Sequence, residues 1–319
     1  MNQIDLNNVK YVTLYTGGKG QANCVCKCPC CTQKGPIDTY QGNLEQISEM
    51  LDIFPNLQQL YFLGNPDPAI DTSFCNEASL MSIERGINVC YSTSGVGGLK
   101  MLRKLLTNIR PSNVDYISFS IDSVDPQKMS MLKGINYPFE SAIEGIDWAI
   151  KEGFIVKIQP TLWSCNYQDA YSIIDFFSKR GVKLFTFHVG SVEKGNLETH
   201  QHLTENQIKD VHQQIDEITK KHHVSVSCPI IYPSCGENDK NKWYCMNLEN
   251  CNNMLVFLKE NGIYGTHVPI VSEIDESFVY KLEPNMVINT EEFPKKVFCP
   301  ISEKAAHGKT LCRYIKKQW

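Results

Sequence analysis

The sequence has no apolar run approaching the ~20 residues that a membrane-crossing helix requires. Its opening stretch, MNQIDLNNVK, has neither a basic start nor an apolar segment, so no secretory signal is read there. Charge of one sign is not in surplus. A net charge of −4 gives no general attraction to nucleic acid or to anionic lipid, and the basic tail over 309–319 reads as a solvated end. Low-complexity segments are also lacking, and no repeat is sharper than an alternation of strand and helix. These absences predict a cytoplasmic protein with no nucleic-acid and no membrane partner. A sequence of 319 residues with 42% hydrophobic content is nevertheless long and apolar enough to bury a large core.

What the sequence does have is cysteine. There are 14, and five of them crowd into one short loop: Cys24, Cys26, Cys28, Cys30 and Cys31. Six more fall in the last third, at Cys228, Cys235, Cys245, Cys251, Cys299 and Cys312. An even count invites a disulfide reading, but disulfides need an oxidising compartment and are densest in small secreted domains. Metal or cluster ligation accounts better for both groups.

The order of elements reads as strand–helix repeats. Strands are predicted over 11–15, 59–63, 87–91, 114–121, 154–159 and 183–189, each followed by a loop or turn signal. Helices are predicted over 44–54, 71–85, 99–109, 138–151, 168–179 and 204–222, the last opened by a Thr204/Gln207 capping box. Six strands alternating with helices imply a parallel sheet wound right-handed, with its chemistry at the strand C-terminal ends. From about Ser227 the pattern changes: cysteine, proline and glycine rise, and 254–259 and 263–268 flank an Asn261-Gly262 turn that signals a hairpin. The expected division is a barrel over 1–226 and a small cysteine-rich α+β extension over 227–319.

Closely spaced thiolates on one loop can each reach a different iron of the same cluster. Of the five cysteines in the first loop, Cys24-x3-Cys28-x2-Cys31 has a three-residue and then a two-residue spacing. Three ligands on a four-iron cube leave one iron open, where a plain ferredoxin cluster has a fourth thiolate. The alternative is a structural zinc loop, which favours CxxC pairs.

In this spacing, and in its place just after the first strand of a βα array, the sequence resembles the radical SAM superfamily. Weaker motifs support the resemblance. Leu63-Gly64-Asn65-Pro66 is similar to the Gly-Gly-Glu-Pro turn that holds the amino group of S-adenosylmethionine, with Asn65 in place of glutamate. Ser120-Ile121-Asp122 matches the Ser-x-Asp pair that holds its ribose, and Thr93-Ser94-Gly95 follows the third strand. The resemblance implies a partial (β/α)6 barrel, a [4Fe-4S] cluster on Cys24, Cys28 and Cys31, and S-adenosylmethionine at the open iron. It implies reductive cleavage to a 5′-deoxyadenosyl radical that abstracts a substrate hydrogen atom, with an external donor such as flavodoxin or ferredoxin supplying the electron. Gln159 and His188, at strand ends, are further candidates for cofactor contact. Cys26 and Cys30 are not expected to be ligands.

The later cysteines resemble the opening of SPASM and twitch extensions, with Cys251, Gly262 and then His267 where those have cysteine. The resemblance implies an auxiliary iron–sulfur cluster on Cys251, Cys299 and Cys312, with His267 or Cys245 as fourth ligand. Buried free thiols and structural zinc are the alternatives. Cys228 or Cys235 is a candidate hydrogen-atom donor to a substrate radical. By family analogy the substrate is a ribosomally made peptide that is epimerised or crosslinked. A small-molecule dehydrogenase using the auxiliary cluster as electron acceptor is one alternative, and a non-catalytic metal-binding or electron-transfer protein is another.

Overall fold

The structure is a computed structural model that describes residues 3–15, 24–29, 42–63, 67–68, 71–189, 203–227, 253–266 and 279–289. In sequence order the strands begin with β1 (Gln3–Asp5), β2 (Tyr11–Tyr15), β3 (Gln59–Phe62), β4 (Asn88–Thr93) and β5 (Val114–Phe119). They continue with β6 (Val156–Ile158), β7 (Thr161–Leu162), β8 (Leu184–Thr186), β9 (His188–Val189) and β10 (Ser225–Ser227). The last four are β11 (Asn253–Lys259), β12 (Gly262–Thr266), β13 (Tyr280–Lys281) and β14 (Val287–Asn289). The helices are α1 (Leu44–Ile53), α2 (Thr72–Glu84), α3 (Gly98–Leu105), α4 (Pro126–Lys133), α5 (Phe139–Lys151), α6 (Ala170–Ser178) and α7 (Glu205–Lys221).

Sequence period two decides which strand residues go where. In β2 and β3, Val12, Leu14, Leu60 and Phe62 are buried, and they join one core cluster with Met50, Leu102, Ile146 and Ile173 from the helices. Fully burying a side chain of this size contributes about 1.5–3 kcal/mol. The alternate residues face the other way. The main sheet runs β10-β8-β6-β5-β4-β3-β2-β11-β12-β13, and it is parallel from β10 through β2 to β11. Because β2 to β6, β8 and β10 lie side by side in sequence order, right-handed crossovers place all their helices on one face. The other face is the lumen of a partial barrel, and the α/β fold expected from the sequence is the one observed.

Local chemistry explains the helix ends. Asn43 and Gln46 form a capping box on α1, and Thr204 and Gln207 form the expected one on α7. Asp71 caps α2 by accepting from the backbone N–H of Phe74. Helix α4 has Asp125 as N-cap, Pro126 at its first position and Gly134 closing it at φ 64°.

Several features go beyond the sequence reading. Helix α4 is additional, and β10 supplies a seventh parallel strand beside β8. The hairpin at Asn261-Gly262 is present as β11 and β12, and β11 pairs in parallel with β2 at the far edge of the barrel sheet. Gln46 of α1 ties the hairpin down, donating 2.8 Å to the Lys259 carbonyl. A small antiparallel pair, β1 with β14, joins the first and last of the described segments. Among the described residues no helix is long and apolar enough to cross a membrane.

Candidate functional site

The parallel strands all end at one mouth, and the cysteine loop is docked there. Its anchor is the C-terminus of α4, where the Lys27 N–H donates 2.9 Å to the Lys133 carbonyl. Gly134 makes the approach possible. A Cβ at that position would lie 2.2 Å from the Lys27 carbonyl oxygen, and its positive φ already disfavours any other residue.

Within the loop Cys26 is buried, while Cys24 and Cys28 are partly exposed. The three thiols are joined by hydrogen bonds. Cys28 donates to Cys26, and Cys26 donates to Cys24. Donation from Cys26 holds the Cys24 thiol below its ordinary range. The same bond pushes Cys26 up to about 11, and donation to Cys26 together with burial raises Cys28. Cys24 is therefore the readiest thiolate of the three, and thiolate is the metal-binding form.

Ser120 and Asp122 follow β5 and meet a partner that sequence reasoning missed. Lys133 of α4 is 3% exposed, and its Nζ donates 2.8 Å to Ser120 Oγ and 2.7 Å to Asp122 Oδ2. Burial alone would lower the pKa of this lysine. The charges of Asp122 and Cys28 outweigh that effect and hold it above the ordinary lysine range. Asp122 Oδ1 accepts from the Thr161 N–H at 2.8 Å. Asn166, fully buried, fixes the same corner by donating to the carbonyls of Asp122 and Thr161. Each carboxylate oxygen keeps a second acceptor site, so Asp122 can still receive a hydroxyl.

A second buried carboxylate was also missed. Asp67 accepts from Thr93 Oγ1 at 2.7 Å and from the Ser94 N–H and Oγ, both at 2.6 Å. Ser94 in turn hydrogen-bonds Cys26, so the Thr93-Ser94-Gly95 turn is clamped between Asp67 and the cysteine loop. Gln159 accepts from Ser118 Oγ at 2.8 Å. His188 lies on β9 with a buried Nε2 that no described residue partners. Burial and the charge of Lys157 lower its pKa, with Asp122 opposing. Trp163, which directly follows β7, is buried.

The structure thus brings together Cys24, Cys28, Ser120 and Asp122, with Gln159 and His188 on neighbouring strand ends. Cys31, Gly64 and Asn65 lie outside the described residues, as do Cys228, Cys235, Cys245, Cys251, His267, Cys299 and Cys312. Among the described residues no group of three His, Cys, Asp or Glu side chains is set to hold a metal ion.

Residues 20–177 match the family model of the Radical SAM superfamily. The protein has a radical SAM domain. The described part of the site fits the group that such a domain implies: Cys24 and Cys28 are soft sulfur donors at one mouth, and the buried cation of Lys133 offsets thiolate charge at Cys28. The fold around the domain is similar to that of Streptococcus suis SuiB bound to S-adenosylmethionine, at 13% identity and a TM-score of 0.59, covering 77% of this chain and 58% of that one. SuiB bound to the precursor peptide SuiA aligns over 97% of this chain and 68% of that one, at 13% identity and a TM-score of 0.60. The structure of anSMEcpe with bound AdoMet aligns over 68% of this chain and 61% of that one, at 13% identity and a TM-score of 0.54. At such identities the likeness is one of fold. The protein spans 58% of the length of SuiB in its S-adenosylmethionine complex. No curated protein sequence matches it.

Proposed function

We propose that this protein is a radical SAM enzyme that modifies a ribosomally made peptide by hydrogen abstraction, leading to epimerisation or crosslinking. Cys24, Cys28 and Cys31 are its cluster ligands. When bound, the [4Fe-4S] cluster supplies one-electron cleavage of S-adenosylmethionine to methionine and a 5′-deoxyadenosyl radical, the electron coming from a flavodoxin or ferredoxin. The protein's own residues position and shield that chemistry. Lys133 offers a buried cation beside the cysteine loop, suited to a carboxylate. Ser120 and Asp122 present oxygen acceptors next to it, and Gly64 and Asn65 are assigned to the amino group.

The observation supporting the peptide reading is the fold match to SuiB with its precursor peptide, because it extends over 97% of this chain and so beyond the radical SAM domain. Residues 227–319 are read with it as a twitch-like extension anchored through β11. In that reading Cys251, Cys299 and Cys312, with His267 or Cys245, hold an auxiliary cluster, and Cys228 or Cys235 donates a hydrogen atom.

The test is mass spectrometry of reduced, reconstituted protein with S-adenosylmethionine and candidate peptides in heavy water. Deuterium at one Cα with no other mass change supports epimerisation, and loss of two hydrogens from a peptide supports crosslinking. Loss of two hydrogens from a small metabolite, with no peptide altered, overturns the peptide reading in favour of a dehydrogenase.

A further inference from the structure

The lumen face of the barrel holds a lysine that has no ion-pair partner among the described residues. Lys157 sits on β6 between Val156 and Ile158, both of which point into the helix-covered core. Its side chain therefore enters the lumen. There its Nζ lies 3.7 Å from the centroid of the Tyr116 ring on β5, and the Tyr61 ring of β3 packs edge-on against Tyr116 at 5.9 Å. The nearby acids are committed elsewhere. Asp115 accepts from Gln59 and Asn88 at the N-terminal ends of the strands, and Asp122 is held by Lys133 and Thr161.

The same face is short of acceptors. Lys157 pairs with Leu184 and Thr161 with His188, so residues 157, 159 and 161 stand beside 184, 186 and 188. Gln159 spends its carbonyl on Ser118, which leaves its amide donors toward the lumen. His188 keeps a buried Nε2 with no partner among the described residues. An ammonium, an amide and an imidazole thus line one wall, and no described acceptor serves them. Buried polar groups in folded proteins are ordinarily satisfied, and a half-buried ammonium on an aromatic face gains most from a carboxylate.

We propose that Lys157, with Gln159 and His188, forms a substrate subsite in the barrel lumen that binds a carboxylate group of the peptide to be modified. The proposal deepens the radical SAM reading and rests on it. The ring of Tyr116 holds the lysine stem and head in place by a cation–π contact. The carboxylate then accepts from Lys157 and Gln159 while the backbone of the substrate lies toward the mouth. An acidic side chain of a peptide has this chemistry. The methionine carboxylate of S-adenosylmethionine has it too, but Lys133 already offers a cation beside the cysteine loop, and Lys157 lies deeper.

The experiment uses reconstituted holoprotein loaded with S-adenosylmethionine. Isothermal titration measures binding of an acetylated, amidated Gly-Glu-Gly peptide against its Gly-Gln-Gly counterpart. The wild type is expected to prefer the glutamate peptide by about tenfold or more, the value of a charge-assisted hydrogen bond. In Lys157→Met that preference disappears, and Lys157→Arg restores part of it. S-adenosylmethionine affinity and its uncoupled cleavage stay as in the wild type, which separates this subsite from the cofactor site. Equal binding of both peptides by the wild type, binding of neither, or a preference that survives Lys157→Met overturns the proposal. So does loss of S-adenosylmethionine affinity in Lys157→Met, which would assign the lysine to the cofactor. Absence of cleavage in the wild type itself instead removes the underlying reading.

Discussion

Lys133 and Asp122 form a buried ion pair, 2.7 Å from Nζ to Oδ2, that joins the C-terminus of α4 to the loop after β5. Two charges out of water stabilise little on balance, but removing one of them strands the other. Lys133→Met is therefore expected to cost about 3–5 kcal/mol of stability and to weaken S-adenosylmethionine binding. Adding Asp122→Asn should recover much of the stability and none of the binding. Thermal unfolding and equilibrium dialysis of the single and double variants check this; additive losses of stability would contradict it.

Gly134→Ala tests the docking of the cysteine loop. A methyl there meets the Lys27 carbonyl oxygen, and the left-handed backbone adds about 1–2 kcal/mol of strain. The loop must then move off α4, so iron incorporation is expected to fall more steeply than helix content. Iron analysis alongside circular dichroism reads both. Full iron content in the variant would show that the loop does not depend on this contact.

Cys26 is assigned as a hydrogen-bonding neighbour of the ligands. Cys26→Ala should retain iron and the cluster absorbance, while Cys24→Ala and Cys28→Ala should lose them. Its burial against Ser94 predicts a modest loss of stability, about 1 kcal/mol for the missing hydrogen bonds. Iron loss in Cys26→Ala equal to that in Cys24→Ala would make it a ligand.

Lys157 also predicts a pH dependence. Burial lowers its pKa to about 8 in the folded protein, against about 10.4 in the unfolded state. Between those values the unfolded state binds more protons, so stability rises with pH, by at most ~3 kcal/mol and less where water reaches the side chain. Its lumen neighbours stay uncharged in that window: burial raises Tyr61 and Cys90 to about 12 and raises Tyr116 further, and burial first, then Lys157, lowers His188. Denaturant unfolding at pH 7 and pH 10 should show a gain that Lys157→Met lacks. Carboxylate binding should run the opposite way, falling as pH rises through about 8. An unchanged pH profile in Lys157→Met would contradict the assignment.

Much of the barrel was legible because period-two alternation in β2 to β5 and turn signals after each strand act locally. Helix α4 escaped although its punctuation was present in Asp125, Pro126 and Gly134. With few apolar positions in eight residues, it shows little periodicity. The three polar-flanked residues of β10 gave no strand signal, and the pairing of β11 with β2 spans most of the sequence and has no local signature. Spacing marked Cys24 and Cys28, the family resemblance marked Ser120 and Asp122, and the structure gathers them. Lys133 and Asp67 were not legible, because burial of a lysine or an aspartate is decided by tertiary partners such as Ser120 and Thr93.

The central claim is that Cys24, Cys28 and Cys31 hold a cluster that cleaves S-adenosylmethionine. Its most direct test is anaerobic reconstitution with iron and sulfide, reduction, and measurement of 5′-deoxyadenosine by chromatography alongside electron paramagnetic resonance. The expected result is a reduced-cluster signal that changes when S-adenosylmethionine is added, with 5′-deoxyadenosine formed, and both lost in Cys24→Ala, Cys28→Ala and Cys31→Ala. Zinc bound in place of iron, or a reduced cluster that forms no 5′-deoxyadenosine, would contradict it.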